Sequence, residues 1–246
     1  MTRTVLALSP HLDDAAFSCG GTLARLAHAG WRVVVATLFT RSVPDPRGFA
    51  LACQLDKGLG PEVDYMALRR AEDVAAMDAL GVEPPVHVSL SEAPHRGYHS
   101  ARALFEPPLA EDAVAADLGP VIADLVADYR PNLLLAPQAI GGHVDHVVVV
   151  QALQGVGHPV LWWRDFPYTI RPDVPRRPFA DRFAALPSRS VTLDPAALAA
   201  REAACAAYRS QLGYQFGGPE ALRGKLAQAG PVEVFSGQPE LDFPSR

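Results

Sequence analysis

The first forty residues contain two apolar segments of strand length separated by a helical segment, and this pattern constrains the fold most. Residues 4–8 and 31–40 are rich in aliphatic and β-branched side chains, as expected of strands buried on both faces of a parallel sheet. Between them, residues 22–29 have helical character and are followed by Gly30. A strand, a helix and a strand in this order predict a βαβ unit with a right-handed crossover. We therefore expect a Rossmann-like α/β fold, with a mainly parallel sheet and helices on both faces.

The rest of the chain continues this alternation, which favours a single domain over residues 1–246. Apolar periodicity and capping residues predict helices over residues 65–80, 111–130 and 195–211. Strands are predicted over residues 85–90, 132–136, 158–165 and 190–193, with an edge strand at 232–235. Irregular structure is expected over residues 40–61, 92–108 and 171–189, and from Gly217 onward. Because the segment 42–60 follows the carboxyl end of a strand, we expect it to form part of a substrate pocket wall.

The composition is that of an ordinary globular protein and excludes several functional classes. Hydrophobic residues make up 49% of the 246 residues and charged residues 20%, which is enough for a sizeable core. The net charge of −5, without a basic stripe, argues against nucleic acid as the main partner. Because the sequence lacks a long apolar run and the pattern of a signal peptide, we expect no membrane association and a cytoplasmic location. The three cysteines form neither a disulfide framework nor a Cys-x-x-Cys pair.

Ionisable side chains are concentrated in two turns that each follow an apolar strand. His11, Asp13 and Asp14 follow the first strand, and His143 and His146 follow the strand predicted at 132–136. Such groups repel one another and lose hydration at the edge of a sheet unless a cation compensates them. A catalytic zinc takes three protein ligands and leaves one position open. The spacing lets His11 and Asp14 converge, and one histidine of the second turn is expected to complete the set while the other faces the open position.

Each of these residues taken alone has a structural explanation. Asp13 or Asp14 could be a helix N-cap, and His11 could be a turn histidine with its hydrogen bonds satisfied. A dinucleotide site is disfavoured, because residues 18–21 lack the Gly-x-Gly-x-x-Gly pattern. Cys19 is expected to be a buried thiol, since no base is placed beside it. Only the combination of two such motifs after two strands favours a metal site.

The two turns resemble the signature of the PIG-L/LmbE-like zinc-dependent N-deacetylases. That signature is His-Pro-Asp-Asp-Glu after the first strand and His-x-Asp-His after a later one, and this chain has His-Leu-Asp-Asp-Ala and His-Val-Asp-His. The resemblance implies that the zinc ligands are His11, Asp14 and His146. It also implies that Asp13 is the general base for the water that zinc activates.

Further roles are implied by the same resemblance. His143 would stabilise the oxyanion, and Asp145 would hold the imidazole of His143 in place. Arg69 lies in a segment similar to the family's Arg-x-x-Glu helix and would contact the substrate. Residues 208–211, Tyr-Arg-Ser-Gln, are similar to a Tyr-x-Ser-Gln element of the family.

Two positions depart from the family signature. Leu12 stands where the family has Pro, and Ala15 stands where it has Glu. Neither position is a metal ligand in the family, so we expect the hydrolytic residues to be retained. The change at Ala15 is expected to affect substrate contacts.

The function implied by the resemblance is the zinc-dependent removal of an N-acyl group, above all N-acetyl, from an amino sugar or a sugar-containing secondary metabolite. Zn²⁺ is the expected cofactor, with another divalent metal as the alternative. The expected partner is a small N-acylated molecule, and assembly into a homo-oligomer stays open. The alternatives are an amidase for a non-sugar natural product, a phosphoester hydrolase and a metal-stabilised binding protein without catalysis. Asp13 and His143 favour catalysis, since a structural zinc site is closed by four ligands.

Overall fold

The computed structural model describes residues 2–173 and 175–238, and seven strands in this part of the chain form one sheet. The strands are β1 (Thr4–Ser9), β2 (Arg32–Thr37), β3 (Val86–His87), β4 (Leu133–Pro137), β5 (Val160–Trp163), β6 (Ser188–Thr192) and β7 (Val232–Ser236). The helices are α1 (Asp14–His28), α2 (Gly48–Leu55), α3 (Tyr65–Leu80), α4 (Val114–Tyr129), α5 (Val144–Ala152), α6 (Ala180–Ala184), α7 (Pro195–Ala207), α8 (Arg209–Phe216) and α9 (Pro219–Ala229). Short 3₁₀ turns lie at Ala93–His95, Ala103–Phe105, Leu153–Gly155 and Tyr168–Ile170. Among the described residues, every helix is too short or too polar to span a lipid bilayer.

The strand order of the sheet is β3-β2-β1-β4-β5-β7-β6. Strands β1 to β5 are parallel to one another, whereas β7 is antiparallel to both β5 and β6. The predicted α/β fold with a mainly parallel sheet is therefore confirmed. From β1 the chain moves outward to β2 and β3, and from β4 it moves in the opposite direction to β5. In such a sheet a crevice opens outside the carboxyl ends of the two strands at which the order reverses, here β1 and β4.

The sheet is covered on both faces because its central strands bury side chains on both sides. In β1, Val5 and Ala7 belong to the apolar core shared with α1, α3 and α7. Leu6 and Leu8 belong to the core shared with α4 and α5. Since successive side chains of a strand point to opposite faces, a central strand must be apolar at every position. This explains the uninterrupted apolar run that predicted β1.

The C-terminal part differs from the sequence prediction in four ways. The segment 171–189, which was expected to be irregular, contains α6 and the start of β6. The segment after Gly217 contains α9, which packs through the buried Leu222. The predicted edge strand is β7, but it lies inside the sheet between β5 and β6. The predicted helix over 195–211 is divided into α7 and α8 at Tyr208, whose buried hydroxyl donates a hydrogen bond of 2.6 Å to Asp73 Oδ1 of α3.

The N-terminal half has longer helices and a shorter strand than predicted. Helix α1 begins at Asp14, directly after the first turn motif, rather than at residue 22. The segment 40–61 is not wholly irregular, because it contains α2. The predicted strand over 85–90 pairs with β2 as a regular ladder only at Val86 and His87.

Helix α1 is interrupted at Cys19, where the backbone has φ −143° and ψ 19°. Beyond this break, the N–H groups of Gly21 and Thr22 donate to the carboxylate of Glu233 on β7, at 3.0 and 2.7 Å. The buried Arg201 of α7 lies beside the same carboxylate, with 3.4 Å between Nε and Glu233 Oε1. A side chain from residue 233 thus caps the second half of the first helix, as an N-cap residue would.

We predict that Gly21→Ala lowers the free energy of unfolding by about 1–3 kcal/mol, the usual cost of overpacking. A Cβ at Gly21 would overlap Leu193 Cδ1 and lie 3.1 Å from Glu233 Oε1, and both side chains are buried. The matched control is Gly224→Ala in α9, where an added Cβ meets no atom within 4 Å. Because alanine favours helix, the control should raise the free energy of unfolding by up to about 1 kcal/mol. Denaturant unfolding measures both, and equal effects would contradict the close packing at Gly21.

Candidate metal and catalytic site

The two turn motifs meet at the carboxyl ends of β1 and β4. These strands are neighbours in the sheet, paired from Val5 with Leu133 to Ala7 with Leu135. The first motif lies between β1 and α1, and the second begins at the N-cap of α5. The crevice at the reversal of strand order therefore contains the side chains that were predicted from the two motifs, which are His11, Asp13, Asp14, His143, Asp145 and His146.

Three histidines converge at this point. One ring nitrogen of each of His11, His143 and His146 lies within 4.8 Å of the others. Asp14 lies between two of them, because its Oδ2 is 3.2 Å from His11 Nδ1 and 3.1 Å from His146 Nε2. The ligand atoms of a tetrahedral zinc with bonds of about 2 Å are about 3.3 Å apart. The spacing of the His11, Asp14 and His146 atoms fits such an ion, and His143 borders the same space.

In His11 and His146, the ring nitrogen that does not contact Asp14 is held by another carboxylate. His11 Nε2 is 2.9 Å from Asp145 Oδ2, and His146 Nδ1 is 2.9 Å from Asp165 Oδ1. Metal-binding histidines usually donate their second N–H to a carboxylate or a carbonyl, which fixes the ring and the tautomer. The donor set of this site therefore fits a divalent metal on chemical grounds.

Asp145 makes different contacts from those expected of it. Its carboxylate was expected to hold His143, but Asp145 Oδ2 is 3.9 Å from His143 Nδ1, beyond hydrogen-bond distance. The carboxylate instead contacts His11 Nε2, the N–H of Ala93 and the guanidinium of Arg96. Burial alone would raise the pKa of Asp145, but the bond to His11 and the neighbouring positive charges hold it well below its usual range.

His143 is positioned by the backbone of the next helix. It is the N-cap of α5, and its Nδ1 accepts a hydrogen bond of 3.2 Å from the N–H of Asp145. An accepting Nδ1 leaves the proton of a neutral imidazole on Nε2. Burial, together with the charge of His11, lowers the pKa of His143 to about 3. His143 is therefore a neutral side chain with one N–H available as a donor.

Asp13 is buried beside the candidate metal ligands and is not itself part of the converging group. Its Oδ2 accepts a hydrogen bond of 3.0 Å from Gln215 Nε2 of α8 and lies 3.6 Å from Arg69 Nη2. Burial raises the pKa of Asp13 to about 7, although the charge of Arg69 opposes this shift. A carboxylate with a pKa near neutrality suits proton transfer at physiological pH.

Arg69 lies on the inner face of α3 and is 4% exposed. It pairs with Glu92 through Nη1, and its Nη2 donates to the carbonyl of Leu12 at 3.3 Å. The structure therefore places Arg69 between the predicted base and a second carboxylate. Because its side chain is buried, Arg69 does not form an exposed ion pair on a helix surface.

Several residues of the site were not found by sequence reasoning. Asp165 is the last residue of the strand predicted over 158–165, and no role was derived for it. Gln215, Glu92 and Arg96 gave no local signal, because their partners are distant in sequence. The Tyr-x-Ser-Gln element has a clear partner: the backbone N–H and hydroxyl of Ser210 both donate to Glu72, each at 2.7 Å. This contact joins α8 to α3.

Two further sequence expectations concern the surroundings of the site. Residues of the segment 42–60 line a small cavity of about 30 Å³ together with Glu92, the partner of Arg69; they are Val43, Pro46, Ala50, Cys53 and Gln54. The role of this segment in substrate binding stays a prediction. Cys19 is a buried thiol whose pKa burial raises well above its usual value, which agrees with the structural role expected of it.

The chain is similar to proteins that are named as deacetylases. It is 35% identical over 173 residues to 2'-N-acetylparomamine deacetylase of Streptomyces fradiae, covering 68% of this chain and 57% of the relative. It is 32% identical over 170 residues to 1D-myo-inositol 2-acetamido-2-deoxy-alpha-D-glucopyranoside deacetylase of Kineococcus radiotolerans, covering 61% of this chain and 43% of the relative. The chain thus spans about half the length of these two relatives.

Two solved structures resemble the fold over nearly its whole length. The zinc-inhibited form of teicoplanin deacetylase Orf2 has a TM-score of 0.78 at 25% identity, covering 95% of this chain and 97% of that one. The A40926 pseudoaglycone deacetylase Dbv21 has a TM-score of 0.77 at 28% identity, covering 100% and 99%.

The profile of a protein family matches residues 6–156, a segment that contains both turn motifs. The family is described as PIG-L, GlcNAc-PI de-N-acetylase. The match covers more than half of the 246 residues, and the two motifs lie in it at neighbouring strand ends. This chain belongs to the PIG-L family.

Proposed function

We propose that this protein is a metal-dependent N-deacetylase that acts on an amino sugar or a sugar-containing metabolite. The observation that carries the proposal is the buried carboxylate of Asp13, placed beside a convergent set of metal ligands and bound by Gln215. A site that only stabilised the fold would be closed by four ligands and would need no such carboxylate. The deacetylase names of the relatives support the same reaction.

His11, Asp14 and His146 would hold the metal, which we propose to be zinc. When bound, zinc would supply a Lewis acid that lowers the pKa of water and polarises the amide carbonyl. The carboxylates of Asp145 and Asp165 would keep the two imidazoles in the orientation that ligation needs.

Asp13 would accept a proton from the attacking water and pass it to the amine that leaves. Its Oδ2 is occupied by Gln215 and lies near Arg69, so Oδ1 is the oxygen that we assign to proton transfer. Fixing one oxygen orients the other, which general base catalysis requires. The same carboxylate can serve as base and then as acid, since the proton it takes in the first step is the one the amine needs.

His143 would donate its Nε2–H to the oxyanion that develops on the acyl carbon. A neutral donor held by the backbone at the N-cap of α5 needs no reorganisation as the charge forms. One such donor is worth about 3–4 kcal/mol of transition-state stabilisation.

The substrate would be bound between Arg69, Glu92 and the segment 42–60. Guanidinium and carboxylate groups are suitable partners for sugar hydroxyls. The names of the relatives suggest two kinds of substrate, acetylated amino sugars such as 2'-N-acetylparomamine and conjugates such as teicoplanin or the A40926 pseudoaglycone. The teicoplanin deacetylase and the A40926 pseudoaglycone deacetylase match this chain over 97% and 99% of their own length, which favours a sugar-containing secondary metabolite.

The substrate class is tested by a screen. We expect N-acetylated sugars, aminoglycosides and glycopeptide conjugates to release free amine, and we expect a chelator to stop the release. Simple N-acetyl amino acids are the matched non-sugar substrates and should react at least tenfold more slowly. Turnover of the non-sugar amides alone would favour the amidase alternative, and no turnover of any compound would favour a binding protein.

The role of Asp13 is tested by Asp13→Asn. We predict that kcat falls by about 10²–10⁴-fold, because an amide cannot take the proton of the attacking water. Bound zinc, measured by elemental analysis, should remain near one equivalent. The control is Asp124→Asn on the exposed face of α4, which should leave both values unchanged. Full activity of Asp13→Asn would rule out its role as base.

The ligand set is tested by His146→Ala. We predict loss of both zinc and activity, because the variant removes one of three ligands. His143→Ala separates the roles of the two histidines of α5. It should keep zinc while kcat falls by about 10²–10³-fold, as for the loss of an oxyanion donor. If His143→Ala loses zinc and His146→Ala retains it, the two roles are exchanged.

A further inference from the structure

Arg96 links the segment 91–112 to the second turn motif. Its Nη2 donates to Asp145 Oδ1 at 2.6 Å and to Asp112 Oδ2 at 3.0 Å. Its Nε lies 3.1 Å from Asp112 Oδ1, and its Nη1 donates to the carbonyl of Ser91. The side chain of Arg96 is 12% exposed, and those of Asp112 and Asp145 are 2% and 0% exposed. One guanidinium therefore bridges two buried carboxylates.

At one end of this bridge, the carboxylate of Asp112 is fixed by other residues of the same segment and by the start of α4. Tyr98 is buried, and its hydroxyl donates to Asp112 Oδ2 at 2.9 Å. The N–H of Leu109 donates to the same hydroxyl at 3.0 Å. Asp112 also accepts from the N–H of Val114 at 3.2 Å, which ties it to the start of α4. Arg96 is thus held from both sides in one position.

At the other end of this bridge, Asp145 positions the ring of His11. Asp145 Oδ2 accepts from the N–H of Ala93 and contacts His11 Nε2, while Asp145 Oδ1 is taken by Arg96. Because both oxygens of Asp145 are bound, its carboxylate is held in one orientation. With a metal bound, Asp145 would therefore hold the His11 proton on Nε2 and leave the lone pair of Nδ1, on the side of Asp14, free for ligation.

We propose that Arg96 is a positioning residue for the metal site: by fixing the carboxylate of Asp145, it sets the ring orientation of His11 and so the metal affinity of the protein. This inference rests on the proposed function, since it takes His11 as a metal ligand. It extends that function by assigning a role to the segment 91–112, whose Glu92 also pairs with Arg69. The same short segment then supports both the metal ligand and the base.

The positive charge of Arg96 would act on metal binding in the opposite direction to its positioning role. A cation about one side chain away from a divalent metal repels it, so removal of the charge alone would tighten metal binding. When Arg96 is replaced, the positioning role therefore predicts a higher zinc Kd, whereas charge repulsion alone predicts a lower one. Arg96→Lys keeps the charge but cannot bridge two carboxylates with a planar fork. Arg96→Gln removes the charge and keeps part of the hydrogen bonding.

The experiment measures zinc binding to the metal-free full-length protein by competition with a chromogenic chelator, without any substrate. We expect the zinc Kd to rise by up to about tenfold in Arg96→Gln, less than the about 10–100-fold that is usual for loss of the direct partner of a metal ligand, and by a smaller factor in Arg96→Lys. The activity of the Arg96 variants should recover when the zinc concentration is raised above the new Kd, and the KM for the substrate should be unchanged. The controls are Arg102→Gln and Arg102→Lys in the same segment, because Arg102 is 89% exposed and pairs only with Glu106 among the contacts described. Both should bind zinc as the unmodified protein does.

The outcomes separate the two proposals. If the unmodified protein binds zinc but the Arg96 variants bind it equally or more tightly, the positioning role is wrong and the proposed function is untouched. If the unmodified protein binds no divalent metal, the proposed function fails and the role of Arg96 fails with it. If Arg96→Gln does not fold, as judged by circular dichroism, Arg96→Lys decides: an unchanged Kd in a folded Lys variant overturns the inference.

Discussion

The cost of burying carboxylates next to one another governs the architecture around the two turns. Asp13 is 4% exposed, Asp145 is fully buried, and Asp14 contacts both His11 and His146. An unpaired buried charge costs several kcal/mol even after relaxation of the protein. The fold can keep these groups together only by bringing cations and hydrogen-bond donors to them from other elements. The positions of α3, α8 and the segment 91–112 follow from this requirement.

Each of these elements is itself fixed by polar contacts rather than by apolar packing alone. Helix α8 carries Gln215 to Asp13, and it is joined to α3 where Ser210 binds Glu72. Helix α3 carries Arg69 to the same carboxylate. A shift of either helix would leave a buried charge without its partner. The site and the packing of the C-terminal helices are therefore coupled, although α8 lies about two hundred residues after the first motif.

The sequence predicted those parts of the structure that local patterns determine. The apolar runs predicted β1 and β4, and Asp194 followed by Pro195 predicted the start of α7, where Asp194 caps the helix. Helix α9 was missed, although Pro219 at its first position and Gly230 after its end are ordinary boundary signals. It is a polar helix with a single buried apolar residue, so its periodicity is weak.

The site was predictable as far as its residues are close in sequence. The histidines and aspartates of the two turns were identified because each turn carries its own motif after an apolar strand. The contacts of Asp145 were assigned to the wrong imidazole, because sequence proximity favoured His143 over His11, which is 134 residues away. Glu233 illustrates the same limit, since its capping of α1 joins residues 212 positions apart. Such contacts depend on strand order, which a single sequence does not specify.

Asp13 and Asp14 are adjacent in the chain, and their opposite environments argue for different roles. Burial raises the pKa of Asp13 to about 7 despite the nearby guanidinium of Arg69. Burial acts in the same direction on Asp14, but the charges and hydrogen bonds of His146 and His11 hold its pKa well below its usual range. A carboxylate that stays charged between two imidazoles suits a metal ligand, and one that titrates near neutrality suits a base. Because α1 begins at Asp14, the turn directs this side chain towards His146 and leaves Asp13 facing Gln215. In the proposed function, the start of the helix is thus the feature that would divide one pair of identical side chains into a ligand and a base.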